Sequence, residues 1–319
     1  MTAQTRRDWL TRTPAVLATG AIALSVPTEA SAAVKAPSPK FGYCLNTSTI
    51  MGQKLPVVEQ LKVAAKAGFG AVEPWLRDLD EYAKGGGSLA ELKTRIADLG
   101  LKIPSAIGFA EWAVDDDARR AKGVEQMKRD METVAAIGGT RIAAPPVGAT
   151  DRADMDLRKV ADRYRAILEI GDKIGVVPQV ELWGFSKCLS RLGEVAMVAI
   201  DSRHPKACIL ADVYHLYRGG SDFSGLALLR GQALGVFHLN DYPASPPREH
   251  ITDAQRVYPG DGVAPLGNLF RTLVDIGYDG FLSLELFNRD YWKEDPFKVA
   301  RTGLEKLKAA VSIGLTPKA

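Results

Sequence analysis

The chain has 319 residues, 46% of them apolar and 25% charged, with a formal net charge of +3. Such a composition supports a large buried core and excludes a fibre or a disordered chain. Lysine and arginine are scattered among the acids rather than gathered in a run, so there is no electrostatic footprint for a nucleic-acid backbone.

Taken in chain order, residues 1–33 read as a targeting segment. Thr5-Arg6-Arg7-Asp8-Trp9-Leu10 places paired arginines before an apolar stretch from Ala15 to Val26, and Ala30-Ser31-Ala32 supplies small residues at a cleavage position. This order resembles a twin-arginine export signal, with Trp9 where such signals usually carry Phe, and implies an exported, periplasmic protein. The apolar stretch is too short for a membrane span. Proline-rich residues 34–40 read as a tether, and a single domain is expected over residues 41–312. Cys44, Cys188 and Cys208 cannot all pair within one chain and show no C-x-x-C spacing, which excludes a disulfide scaffold and points to buried free thiols.

Eight short apolar runs follow, predicted as strands: Phe41–Leu45, Ala71–Glu73, Lys102–Ile107, Thr140–Ala144, Val176–Leu182, Ala207–Asp212, Gly235–Asn240 and Gly280–Leu286. Helical patterns alternate with them over Val57–Ala67, Leu89–Leu99, Ala118–Ile137, Leu157–Ile174, Leu189–Ile200, Phe223–Leu229 and Pro265–Ile276, with Pro296–Ala310 last. Several helices run into glycine before the next strand, as in Ala67-Gly68 and Ile174-Gly175, because glycine accepts the left-handed conformation that ends a helix. The strands are continuously apolar, as in a sheet covered on both faces. Eight such units predict a single (β/α)₈ TIM barrel. No G-x-G-x-x-G or P-loop follows the first strand, so nucleotide binding of those kinds is not supported.

In a (β/α)₈ barrel the carboxyl ends of the strands converge on one mouth, where active sites are built. There the last four strands carry Glu181 (in V-E-L-W-G), Asp212 (in L-A-D-V-Y-H), His238 (in F-H-L-N-D) and Glu285 (in S-L-E-L-F). Burying an isolated carboxylate costs several kcal/mol, so three carboxylates and an imidazole at one mouth need a compensating positive charge. One divalent metal ion supplies it; three oxygens and one nitrogen suit Mn²⁺, Mg²⁺, Co²⁺ or Zn²⁺, and the lack of thiolate favours Mn²⁺ or Mg²⁺. Asp241 is expected to orient a ligand or a substrate hydroxyl, and Arg248 and His250 to reach the mouth from the following loop. Trp75, Phe109, Trp112, Trp183 and Phe287 follow strand ends and are expected to wall the site against the C–H face of a sugar. Glu73 points into the same mouth without an assigned role.

The succession V-E-L-W-G, D-x-x-H, H-x-N-D and S-L-E-L-F, with F-G-A-V-E at residues 69–73 and Y-P-G-D-G at residues 258–262, resembles the sugar phosphate isomerase/epimerase family of xylose-isomerase-like barrels over nearly all of residues 40–310. That resemblance implies one metal held by Glu181, Asp212, His238 and Glu285, with Glu181 and Glu285 shuttling a proton and His215 touching a substrate oxygen. It implies isomerisation or epimerisation of a small carbohydrate, a keto-sugar or keto-inositol, through an enediolate. A dehydratase on the same site is the main rival, and a non-catalytic sugar-binding protein the second; retention of both glutamates speaks against the latter. No basic nest for a phosphate is evident in the loops after the last two strands. Self-association into a homo-oligomer is left open.

Overall fold

The computed structural model describes residues 41–316. The expected signal and tether, residues 1–40, lie outside the described residues. Seven strands form parallel ladders: β1 (Gly42–Asn46), β2 (Ala71–Glu73), β3 (Arg141–Ala144), β4 (Val177–Glu181), β5 (Ile209–Asp212), β6 (Leu234–Leu239) and β7 (Phe281–Leu284). Their spatial order is β2-β1-β7-β6-β5-β4-β3.

The eighth predicted strand, Lys102–Ile107, is present as an extended segment that closes the barrel between β2 and β3, but not as a ladder. On one side it makes isolated bridges at Lys102 with Ala71 and at Ile107 with Trp75. Val72 N donates to Lys102 O (2.9 Å) and Ile107 N to Pro74 O (2.9 Å). On the other side Ala106 N donates to Arg141 O (3.2 Å) and Ala143 N to Ala106 O (2.9 Å). Pro104 and Pro74 lack the N–H that a continuous ladder requires, which explains the correction.

Nine α-helices surround the strands: α1 (Val57–Ala67), α2 (Leu76–Lys84), α3 (Leu89–Asp98), α4 (Asp117–Ala136), α5 (Leu157–Ile174), α6 (Leu192–Asp201), α7 (Val213–Gly219), α8 (Leu266–Asp275) and α9 (Pro296–Leu315), counted among the described residues. In α5 the buried positions Val160, Ala161, Tyr164, Ile167, Leu168 and Gly171 fall on one face, the stripe a helix shows when it lies on a sheet. Left-handed Gly68 and Gly175 end α1 and α5 as expected. Helix α6 starts later than predicted because Leu189 has a positive φ of 56°, which a helix does not admit. The segment from Phe223 is a 3₁₀ turn, and α2 and α7 were not predicted. Among the described residues no helix is long and apolar enough to cross a membrane. All three cysteines are buried and free.

Most of the core lies between the helices and the barrel wall, where Leu61, Leu92, Met131, Ile167, Phe270 and Leu307 are buried. A smaller cluster of Ile107, Ala143, Leu210 and Val236 fills the barrel itself. Next to it the register between β5 and β6 shifts between Ile209 and Ala211. The Gln179 side chain serves the backbone at this point: Val236 N donates to Gln179 Oε1 (2.7 Å), while Gln179 Nε2 donates to Ser105 Oγ (2.9 Å). Gly235 makes this possible, since a Cβ there would overlap the Gln179 amide. Gly235→Ala is therefore expected to destabilise the fold by about 2 kcal/mol through overpacking and a lost buried hydrogen bond, measured as a lower urea midpoint with unchanged slope.

Candidate metal centre

The barrel brings Asp212, His238 and Glu285 together: one ligand atom from each lies within 4.8 Å of the others. Asp212 and His238 are register partners on β5 and β6, and Glu285 follows β7, its N–H donating to Leu239 O (3.2 Å). Glu181 ends β4 and lines the same cavity, of about 290 Å³, with Glu285, His215 and Arg256.

Each side chain is held by its neighbours. Asp212 caps α7: its Oδ1 accepts from His215 N (2.9 Å), and Asn240 Nδ2 approaches Oδ1 and Oδ2 at 3.3 and 3.2 Å. Burial alone would raise this carboxyl, but the charges of Arg256, His215 and His238 outweigh it and hold Asp212 well below the usual carboxylate range. His238 is fully buried, with Nε2 2.9 Å from Glu73 Oε2 and Nδ1 3.1 Å from Glu285 Oε2 and 3.7 Å from Asp212 Oδ2. Burial would lower its pKa; the carboxylates of Glu285 and Glu73 raise it well above the ordinary imidazole value. Glu181 is pushed up to about 8, first by burial and then by the negative charges of Glu285 and Asp212, against the opposing charge of His238.

Arg256 was missed by sequence reasoning. It is buried, and its Nη1 donates to both Asp212 Oδ2 and Glu285 Oε2 at 2.8 Å, while Nη2 donates to Asp253. The guanidinium stacks on Tyr214 and Phe287, 4.4 and 5.1 Å from the ring centroids. His215 Nε2 lies 3.2 Å from Arg256 Nη2, and its Nδ1 accepts from Gly184 N (3.3 Å). Gly184, the glycine of V-E-L-W-G, has no room for a Cβ because the backbone of His215 and Gly219 lies against it. Burial first, and the charge of Arg256, push His215 down to about 4 against the pull of Asp212, so the ring is neutral at pH 7.

Four carboxylates, those of Glu73, Glu181, Asp212 and Glu285, are thus buried at one mouth with one arginine and two histidines, of which His215 is neutral, and the arginine is shared with Asp253. Glu181 has no ion-pair partner and His238 Nδ1 no hydrogen-bond partner among the described residues. This donor set fits a divalent cation, which would answer both the surplus of negative charge and the free imidazole nitrogen.

Four residues expected at the mouth lie elsewhere or serve another purpose. Trp112 is fully buried behind the wall, its Nε1 donating to Pro145 O (2.9 Å). Arg248 lies at a separate cavity with Tyr217, Tyr242 and Asn268, and His250 is exposed outside the mouth. Asp241 spends its carboxylate on a loop, accepting from the backbone N–H of Tyr242, Gly260, Gly262 and Ala264 at 2.8 to 3.1 Å. Paired with Val257 through two backbone hydrogen bonds (3.0 and 2.9 Å), Asp241 turns the loop back and so delivers the adjacent Arg256 to the mouth. An arginine immediately before V-Y-P-G-D-G was the available signal. The expected aromatic wall stands at Trp75, Phe109, Trp183 and Phe287, and Phe185 extends it.

This fold and mouth are those of an enzyme barrel, and the chain belongs to the xylose isomerase-like TIM barrel family, whose model matches residues 61–310. It is 25% identical over 274 residues to an inosose isomerase of Bacillus velezensis, covering 84% of this chain and 96% of that protein. It is 25% identical over 236 residues to a 3-dehydro-D-guloside 4-epimerase of Escherichia coli, covering 69% of this chain and 84% of that protein. A 3-dehydroshikimate dehydratase of Pseudomonas aeruginosa is 28% identical over 254 residues, 76% of this chain and 37% of that protein. Among solved structures, the IolI protein with a bound zinc atom superposes with a TM-score of 0.80 at 20% identity, over 87% of this chain and all of that one.

Two outcomes are expected. Arg256→Met leaves Asp212 and Glu285 uncompensated, so the metal-free variant should lose about 3–5 kcal/mol, and saturating divalent cation should raise its melting temperature more than that of the parent. Asp241→Ala should loosen the loop by about 1–3 kcal/mol, seen as faster hydrogen exchange over residues 242–262 with the rest of the barrel unchanged.

Proposed function

We propose that this chain is a divalent-metal-dependent isomerase or epimerase of a small carbohydrate, a keto-sugar or keto-inositol, acting by proton transfer. The observation that carries the reading is the pair of glutamates, Glu181 and Glu285, in one aromatic-walled cavity, with Asp212 and His238 clustered on Glu285. Glu181, Asp212, His238 and Glu285 would hold the ion, which supplies polarisation of the substrate's carbonyl and neighbouring hydroxyl. Mn²⁺ is the preferred ion for a set dominated by oxygen.

The chain's own residues account for the remaining steps. Glu285 is fixed at both oxygens, Oε1 by Asn46 Nδ2 (3.1 Å) and Oε2 by Arg256 Nη1 (2.8 Å), so its carboxylate is aimed before substrate arrives. Glu181 is the less restrained partner. One glutamate takes the proton made acidic beside the carbonyl, and a proton returned to the opposite face or to the neighbouring carbon gives epimerisation or isomerisation. Arg256 brings its positive charge to the mouth, where negative charge develops on the substrate, and neutral His215 lines the same cavity. Trp75, Phe109 and Trp183 keep water from the C–H being broken. Export through the twin-arginine route, supported by Arg6-Arg7 and the apolar stretch after them, belongs to the same proposal.

A dehydratase is the second reading, favoured by the 28% identity to 3-dehydroshikimate dehydratase. Both readings are tested by incubating the protein with Mn²⁺, and after chelation, with keto-sugars and keto-inositols in D₂O. Metal-dependent deuterium incorporation is expected, falling by at least about 10³-fold in Glu285→Gln; product mass separates isomerisation from loss of water. Absence of exchange across the panel, with metal tightly bound, would overturn both in favour of a binding role.

A further inference from the structure

Glu73 ends β2 beneath the metal centre, fully buried, and nothing in the proposed chemistry uses it. Its surroundings determine which way its hydrogen bonds run. Asn46 Oδ1 accepts from Ser48 N (3.0 Å) and from Trp75 Nε1 (3.0 Å), two groups that can only donate. The Asn46 amide therefore has one possible orientation, and its Nδ2 donates to Glu73 Oε2 (3.1 Å) and to Glu285 Oε1 (3.1 Å). Ser283 Oγ lies 2.7 Å from the same Glu73 oxygen. With Oε2 set as an acceptor, its remaining contact, His238 Nε2 at 2.9 Å, carries the proton.

We infer that Glu73 is a positioning residue: by holding the Nε2–H of His238 it fixes the imidazole so that Nδ1 is the atom offered to the metal. This rests on the metal reading above. The placement of Nδ1 agrees with it, since that nitrogen, not Nε2, faces Glu285 Oε2 (3.1 Å) and Asp212 Oδ2 (3.7 Å). Asn46 extends the effect, because one amide sets the acceptor that orients the histidine, the ligand carboxylate Glu285 and, through Trp75 Nε1, a ring of the substrate wall. A carboxylate behind a ligating histidine orients the ring and raises its basicity, and losing such a partner weakens metal binding about 10–100-fold.

The test needs no turnover. Zinc affinity of the full chain is measured by chelator competition for the parent, Glu73→Gln and Ser283→Ala, beside the melting temperature of each metal-free protein. Glu73→Gln offers His238 an amide that can donate as well as accept, so zinc should bind about 10–100-fold more weakly, while Ser283→Ala, which removes another bond to the same oxygen, should bind as the parent does. Equal weakening in both variants, or none in Glu73→Gln, would overturn the role. Long-range ¹⁵N–¹H spectra of the zinc-loaded parent give a reading that holds even where Glu73→Gln fails to fold: of its four histidines, the one lost in His238→Asn should keep a protonated Nε2 and bind zinc through Nδ1. The opposite tautomer would overturn the role with the metal reading intact, whereas a parent chain that binds no zinc would overturn the metal reading and the role with it.

Discussion

The structure depends on negative charge concentrated where water is excluded. Four carboxylates from β2, β4, β5 and the end of β7 are buried within reach of one arginine and two histidines, one of them neutral. Such a cluster persists only if its carboxylates have donors or a cation, and the mouth of the barrel supplies them: Asn240 and the α7 N-terminus for Asp212, Asn46 and Arg256 for Glu285, Ser283 and His238 for Oε2 of Glu73. Glu181 is the exception: no cation pairs with it among the described residues, and burial pushes its carboxyl up to about 8. Chemistry that moves a proton needs a group of this kind.

The rest of the fold can be understood as the frame for that arrangement. Parallel strands place successive inward-pointing residues at equal depth, so groups far apart in sequence meet at one level. The glycines are as necessary as the acids: Gly235 admits the Gln179 amide that satisfies the irregular β5–β6 ladder, and Gly184 lets the loop after β4 lie against α7, where it meets His215. The relatives include isomerases, an epimerase and a dehydratase.

Much of this was legible in the sequence. The barrel was readable because the strands are apolar runs and several helices end in glycine before the next one, and Asp212, His238 and Glu285 because a charged residue inside an apolar strand stands out. The third strand was less readable than it looked, since prolines at 74 and 104 leave its extended shape intact while removing its ladder. Arg256 was not readable from distance along the chain: it lies far beyond His238, and only the backbone pairing of Asp241 with Val257 returns it to the mouth. The same pairing made Asp241 misleading, because an acid just after a strand looks alike whether it faces a ligand or ties down a loop. Trp112 misled for a similar reason, as an indole suits a buried wall as well as a binding surface.

The loop tied down by Asp241 has a consequence for how such a protein diversifies. The residues that would hold an ion are carried by strands or strand ends, whereas Arg256 is carried by a loop anchored through main-chain N–H groups that almost any sequence possesses. Constraint on this loop is uneven: residues 243–250 lie outside the mouth, while Ile251 O accepts from the Tyr214 hydroxyl and Asp253 pairs with Arg256. The loop's share of the mouth, Asp253, Ala254 and Arg256, and the acids at the strand ends are thus carried on separate parts of the chain, so that one can be altered without rebuilding the other.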